Sequence, residues 1–403
     1  MRELEKKAVE AKDKKASLGP DIDLREFIVD APGHGSIESP EQLPEADKKR
    51  MMLAGVDAGE KDRSGTFIQK DATAIFSRSY VPGLEVLPIK EALDNVEWVK
   101  DYYWKLLAVD TDKYTSQAYK ELHNGYVIRA LPGSSVTFPI QACMYLEHEG
   151  LSQNVHNIII AEEGSELHII TGCATASHVT KGLHVGISEF YVKENAKLSF
   201  TMIHNWAENV LVRPRSAGIV EKGGLFLNNY ICMKPVKSLQ MYPTTRLVGK
   251  GAVARFYSLL VGNPGSELDV GGRACLDAEE TRAEIISRAI TNGGNLIARG
   301  ELIGRKPGVR GHLECRGLIL NGGTIHAIPE LIGKEEGVEL SHEAAVGKIA
   351  QEEILYLMSR GLTEEEAAAT IVRGFLSVDI PGLPAVLKAE IDRAVELSQK
   401  DMM

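Results

Sequence analysis

The chain has 403 residues, of which 44% are hydrophobic, 25% charged and 6% aromatic, with 38 glycines; this is the make-up of an ordinary soluble globular protein rich in tight turns. A formal net charge of −10 argues against a binder of the nucleic-acid backbone, which needs basic patches. No apolar run approaches the roughly 18–20 residues that span a bilayer, and five scattered cysteines, Cys143, Cys173, Cys232, Cys275 and Cys315, form neither a zinc ribbon nor an even disulfide framework.

The N-terminus, Met1-Arg2-Glu3-Leu4-Glu5-Lys6-Lys7, is charged and has no apolar core of a signal peptide, so a cytoplasmic location is expected. Residues 1–124 read as a mainly helical, charged region. Asp94-Asn-Val-Glu97 has the form of a helix start and His123-Asn124-Gly125 that of a stop, while residues 33–36 and 59–65 read as loops.

From about residue 125 a pattern recurs: a Gly or Asn turn, then a short alternating apolar run. The turn residues are Gly133, Gly164, Asn195, Gly223, Gly251, Gly265, Gly293 and Gly322, at steps of 31, 31, 28, 28, 14, 28 and 29. A fixed period of this size marks a solenoid, and period-two alternation between turns makes the repeating unit a strand. Residues 125–335 are therefore predicted to form a parallel β-helix, and the half-period of 14 implies two corners per rung and a flattened section.

Residues 336–403 read as helical. A helix is expected from about Glu343 to Arg360, closed by Gly361, and a second opens on the capping box Thr363-Glu-Glu-Glu366. A third begins near Pro384 and carries Val386, Leu387, Ile391 and Val395. Their apolar faces suit packing on the last rung or docking of a partner, and spacing does not choose between these. Cys315 lies in an apolar run, with His342–Glu343 27 and 28 residues later. Thiolate, imidazole and carboxylate together suit iron or another transition metal; taken alone, such a cysteine is more often a small core residue.

Several stretches carry a resemblance: Gly172-Cys-Ala-Thr175, Leu183-His184, Ile203-His-Asn-Trp206, Arg255-Phe-Tyr-Ser258, Cys315 onward, Ser341-His-Glu-Ala344 through Gly361, and Ile371-Val-Arg-Gly-Phe375. On these the chain resembles the SufB/SufD family, scaffold components of the SUF system for iron–sulfur cluster assembly. The likeness covers residues 125–380 and is weak over the N-terminal third. It implies a right-handed parallel β-helix between helical flanks, which agrees with the repeat count. It also implies an ABC-type ATPase partner, SufC, docked on the C-terminal helices at Ile354, Leu355, Leu357, Met358, Ile371, Val372 and Phe375. The chain has no G-x-x-x-x-G-K-[ST], so ATP enters only through that partner and the chain itself is a non-catalytic scaffold.

SufB-type chains have a cysteine at the position of Cys315 and His–Glu at 342–343, where SufD-type chains generally lack the cysteine. The resemblance thus makes Cys315, Glu343 and His342 the seat of a transient, nascent cluster at a subunit interface; thiolate is the usual iron–sulfur ligand, and weaker partners leave the cluster releasable. It further implies that Cys173 accepts sulfur from a cysteine desulfurase or other sulfur donor, with His204 and Lys222 on an internal transfer path. Thr171 and Ser341 stand where SufB chains often have Glu, and the cysteine-rich N-terminal motif of some SufB chains is absent. These departures suggest an archaeal-type form that pairs with a second copy of itself, or with a SufD-like chain. Whether reduced flavin takes part is left open. The alternative is a SufD-like structural or iron-entry partner that does not nucleate clusters. A polysaccharide-cleaving β-helix enzyme is disfavoured, since no acidic ladder recurs at the rung spacing.

Overall fold

The structure is a computed structural model and describes residues 2–376, so the third C-terminal helix expected near Pro384 lies outside the described residues. Its centre is a parallel β-solenoid of about eight turns, with helices at both ends and 46% of residues in strands. One sheet stacks Ile140–Leu146, Glu166–Thr175, Lys197–Asn205, Leu225–Cys232, Val253–Gly262, Arg282–Thr291, Arg310–Ile319 and Glu339–Lys348. The opposite sheet runs from Tyr126–Ala130 through Ser152–Ala161 and Lys181–Val192 to Glu267–Leu276, Asn295–Gly304 and Thr324–Gly333.

The predicted flattened section is present because successive half-periods fall on opposite sheets. In-register partners lie one repeat apart, as in Ile140 with Ile169, Glu166 with Lys197 and Leu225 with Val253. Gly164, Asn195, Gly223, Gly251, Gly265, Gly293 and Gly322 all turn the chain at positive φ, the left-handed region that Gly, and sometimes Asn, reaches at low cost. In the second sheet two rungs are split, Asn209–Val212 from Arg215–Val220 and Ser238–Met241 from Thr244–Leu247. Pro214 and Pro243 sit in the two breaks, where a residue without an N–H interrupts the ladder.

The N-terminal region differs from the mainly helical reading. It has helices at Arg2–Glu10, Glu45–Met52, Ile89–Asn95 and Lys113–Lys120, but also strands Gly65–Lys70, Thr73–Ser79 and Leu84–Pro88. The hairpin pairs antiparallel with itself and parallel with Ile140–Leu146, while Leu84–Pro88 runs antiparallel to Tyr126–Ala130. These strands extend both sheets past the first rung, so that short antiparallel strands, Thr73–Ser79 and Leu84–Pro88, form the edges at that end. Residues 94–97 close one helix, Ile89–Asn95, and open a short 3-10 helix, Glu97–Asp101, so the expected start is present but the main helix begins earlier, after Pro88. The stop falls at Lys120, with Gly125 at φ +131°, where a Cβ would sit 2.0 Å from the His156 carbonyl oxygen.

Both outer faces of the early rungs are covered. Buried Glu189 accepts the backbone N–H of Trp104 (2.7 Å) and of Leu106 and Leu107, and meets His156 Nε2 at 2.9 Å. Tyr103, Trp104 and Tyr114 pack there on Ile158, Ile160, Leu183 and Ile187. Across the molecule, Gly172 lets the N-terminal chain approach closely: a Cβ would lie 2.5 Å from the Ala54 carbonyl oxygen.

The solenoid continues past residue 335. Glu339–Lys348 is its last strand, paired in parallel with Arg310–Ile319. The helix predicted from Glu343 begins only at Gln351 and runs to Ser359, followed by Glu364–Leu376. Gly361 has φ +99°, and Thr363 and Glu366 exchange the expected capping hydrogen bonds at 2.8 and 3.2 Å.

Candidate functional site at the open end

Cys315 sits on the penultimate rung of the first sheet, and the alternation of that strand decides where its thiol points. Leu313 and Cys315 belong to the interior core, whereas Arg316 is exposed and Glu314 joins surface arginines. In register, Leu313 lies beside His342, Glu314 beside Glu343 and Cys315 beside Ala344. His342 therefore shares the inner face with Cys315, and Glu343 stands on the outer face with Glu314. The single chain does not bring the Cys315 thiol and the Glu343 carboxylate to one point. Both His342 and Glu343 are exposed, because no rung covers them among the described residues.

Cys315 is only 3% exposed. Burial, reinforced by the Glu314 charge, pushes its thiol up to about 11, so at neutral pH it is an S–H that a metal must deprotonate. Glu343 accepts from Arg316 Nη2 at 3.0 Å, and Glu314 is held by Arg316 Nε at 2.8 Å and by Arg288. His312, with Nδ1 2.9 Å from Ser341 Oγ, completes an outer cluster with Glu314 and Glu343. Two guanidinium groups already neutralise its carboxylates, which disfavours a cation there. Neither His312 nor the arginines entered the sequence reading; their signal was their odd–even offset from Cys315.

Beneath Cys315 a column of inward positions runs Ser287, Ser258 and Tyr230. The Tyr230 hydroxyl meets His204 Nδ1 at 2.9 Å, and His204 is the in-register neighbour of Cys173. Small or hydroxyl-bearing side chains thus separate the two cysteines. Trp206 stacks edge-on to His204, with ring centroids 5.6 Å apart, and His204 Nε2 and Trp206 Nε1 are buried without a partner. Such orphaned polar atoms need a guest. Burial, with His184 nearby, holds His204 far below its ordinary range, and burial alone puts His184 at about 3. Any anion held here meets neutral N–H groups rather than a positive charge. The Cys173 thiol is fully buried and raised well above its usual value by that burial, then by Cys143. A donor protein has no direct access to it.

Lys222 stands outside this column. It occupies the turn before Gly223, its side chain is 65% exposed, and Nζ pairs with Glu194 at 2.7 Å. A lysine preceding two glycines at a solenoid corner faces water, since inward positions belong to the strands.

The C-terminal helices serve two ends. Leu376 is buried, with Val372 and Phe375 packed against it, on an apolar outer stripe that includes Ile203, Ile231, Leu259 and Ile290. Ile354 is also buried. Leu355, Tyr356 and Met358 are 55%, 58% and 38% exposed, so of the residues expected to dock a partner, Leu355 and Met358 are free, joined by Tyr356; Leu357 and Ile371 are half-buried.

Comparison with known proteins settles the family. Residues 144–375 match the family described as SUF system FeS cluster assembly, SufBD core domain. The chain belongs to the SufBD family of iron–sulfur cluster assembly proteins. A Methanothermobacter thermautotrophicus protein of that family is 50% identical over 409 aligned residues, covering 100% of both chains. One from Archaeoglobus fulgidus is 52% identical over 358 residues, 89% of this chain and 96% of its own, and one from Pyrococcus horikoshii 31% identical over 370, 90% and 83%. The N-terminal third, which resembled the family weakly, is thus shared with archaeal SufBD members. Among the described residues no helix is long and apolar enough to cross a membrane.

Proposed function

We propose that this SufBD protein is a SufB-like scaffold on which a nascent iron–sulfur cluster forms at the open end of the solenoid. The carrying observation is Cys315: an interior thiol one rung below a sheet edge that no described residue pairs, with His342 on the same inner face, two positions along the last strand from the neighbour of Cys315. The bare edge of Glu339–Lys348 offers free backbone donors and acceptors to a second copy of the chain. A twofold pairing there sets Cys315, His342 and Glu343 of two copies near one another and supplies the ligands one chain lacks.

In this reading sulfur travels inside the solenoid from the Cys173–His204 chamber past Tyr230, Ser258 and Ser287 to Cys315. Its buried entrance suits a small sulfide or a conformational opening better than direct attack on a donor protein. An ABC-type ATPase docks on the exposed Leu355–Met358 face and, on binding ATP, moves the rung edges through the adjoining helix; this chain receives that motion and does not generate it. The cluster is cargo, bound transiently.

The test is iron and acid-labile sulfide in anaerobically purified protein co-expressed with its ATPase. Wild type should carry both, Cys315→Ala should lose at least tenfold, and Cys173→Ala should lose sulfide supply while still accepting a chemically added cluster. Equal iron and sulfide in wild type and Cys315→Ala would overturn the site. Absence of both from wild type, with the ATPase complex intact, would favour the SufD-like supporting role.

A further inference from the structure

At the other end of the molecule, His34, Asp71 and His148 converge from three separate segments. Asp71 lies in the hairpin turn between Gly65–Lys70 and Thr73–Ser79, His34 in the loop packed against that hairpin, and His148 in the turn after Ile140–Leu146. Their ligand atoms all lie within 4.8 Å of one another. Asp71 Oδ2 faces both imidazoles, His34 Nε2 at 2.8 Å and His148 Nδ1 in close contact.

The surroundings have the features of a formed metal shell. Asp71 Oδ1 accepts the backbone N–H of Glu147 at 2.7 Å and of His148 at 3.2 Å, which fixes the carboxylate and leaves Oδ2 to the cluster. The other ring nitrogen of His34, Nδ1, faces the Glu147 carboxylate at 3.6 Å, longer than a hydrogen bond, so a small shift of the ring would make the contact that orients a ligating imidazole. Glu147 is in turn held by Lys70 Nζ at 3.1 Å, which also pairs with Asp47. The backbone N–H of His34 donates to Thr73 Oγ1 at 3.2 Å, so the loop is anchored. The Asp71 side chain is fully buried, yet the His34 and His148 side chains are 20% and 33% exposed, giving an ion a way in. No guanidinium or ammonium meets Asp71 Oδ2 among the described contacts, unlike Glu314 and Glu343 at the open end.

We propose that His34, Asp71 and His148 bind one divalent first-row transition ion of the zinc or ferrous class. Two imidazoles and one carboxylate select such ions over Mg2+ or Ca2+, which prefer all-oxygen shells. Water fills the remaining coordination positions. A bound ion ties the N-terminal loop, the capping hairpin and the first complete rung together, independently of the cluster reading.

The probe is Co2+ and Zn2+ added to metal-stripped, full-length Cys315→Ala protein, which removes the open-end thiol. About one equivalent should bind, with Co2+ d–d absorption and no thiolate charge-transfer band, and His34→Gln/His148→Gln should weaken binding at least tenfold. Unchanged binding in the double variant, or a thiolate band, overturns the site. Should that variant misfold, Zn2+ protection of His34 and His148 from diethylpyrocarbonate, read by mass spectrometry on the unaltered ligands, decides: at least fivefold slower modification supports the site, and equal rates reject it.

Discussion

The two ends of the solenoid obey opposite rules. Over the first rungs, strands Ile140–Leu146, Ser152–Ala161 and Glu166–Thr175 are buried almost throughout, because the hairpin and N-terminal helices cover the edge and outer faces. At the last rung, Glu339–Lys348 is exposed along nearly its whole length, and Leu331, Ile332 and Val346 leave 38%, 37% and 42% of their surface open. A rung stack satisfies its backbone only where another strand follows. At the closed end the hairpin supplies the following strand, whereas at the open end no strand among the described residues follows Glu339–Lys348. The cysteine of greatest interest lies beside that edge.

The sharpest way to break this contrast is to truncate matched side chains. Phe67→Ala in the capping hairpin removes a ring buried against Tyr126 and should cost about 3–5 kcal/mol, whereas Val346→Ala at the open rung should cost under about 0.5 kcal/mol in the dissociated chain. Similar losses in urea unfolding would mean the last rung is packed in the lone chain after all.

A pH dependence should belong to the closed interior. His184 is held at about 3 by burial, against an ordinary value of 6.5. Between these values the unfolded chain takes up a proton that the folded chain refuses, so the stabilisation is full above pH 6.5 and is lost as pH falls towards 3. This one group contributes a slope of up to about 1.4 kcal/mol per pH unit. His184→Gln should flatten the fall in urea midpoint between pH 7 and pH 4; an identical fall would show that His184 opens to water. The smallest effect on stability is expected on the exposed helix face. Leu355→Asp and Tyr356→Asp should change it by less than about 0.5 kcal/mol yet abolish co-purification of the ATPase. A stable complex with both variants would place the docking face elsewhere. Truncation after Arg360 tests this less cleanly, since it also uncovers the stripe beneath Leu376.

The solenoid was legible because many corners use a left-handed residue, and Gly or Asn at steps of 28–31, with one of 14, marked eight of them from Gly133 to Gly322; corners such as the one at Glu280 left no such mark. The last rung keeps the same spacing, Gly337 following Gly308 by 29 residues with both at φ above +70°, yet the solenoid was expected to end at residue 335. That rung was hidden because Ser-His-Glu-Ala-Ala carries helix-forming residues, and strand pairing overrode that weak local preference. Moving the rung boundary reversed the relation of Cys315 to Glu343, since which residues share a face depends on strand parity. The N-terminal hairpin was missed where charge outweighed the alternation of Thr66, Phe67, Ile75 and Phe76. The His34–Asp71–His148 cluster left no sequence spacing to find, because three loops meet only after the cap has folded.

The account turns on the open edge being an interface. Light scattering of full-length protein, wild type beside Val346→Lys, tests it most directly. Wild type should have twice the mass of one 44.0 kDa chain, and Val346→Lys should fall to a single chain with an unchanged far-ultraviolet spectrum. A wild-type monomer, or a dimer indifferent to the lysine, would contradict pairing through the last rung and leave Cys315 without its second set of ligands.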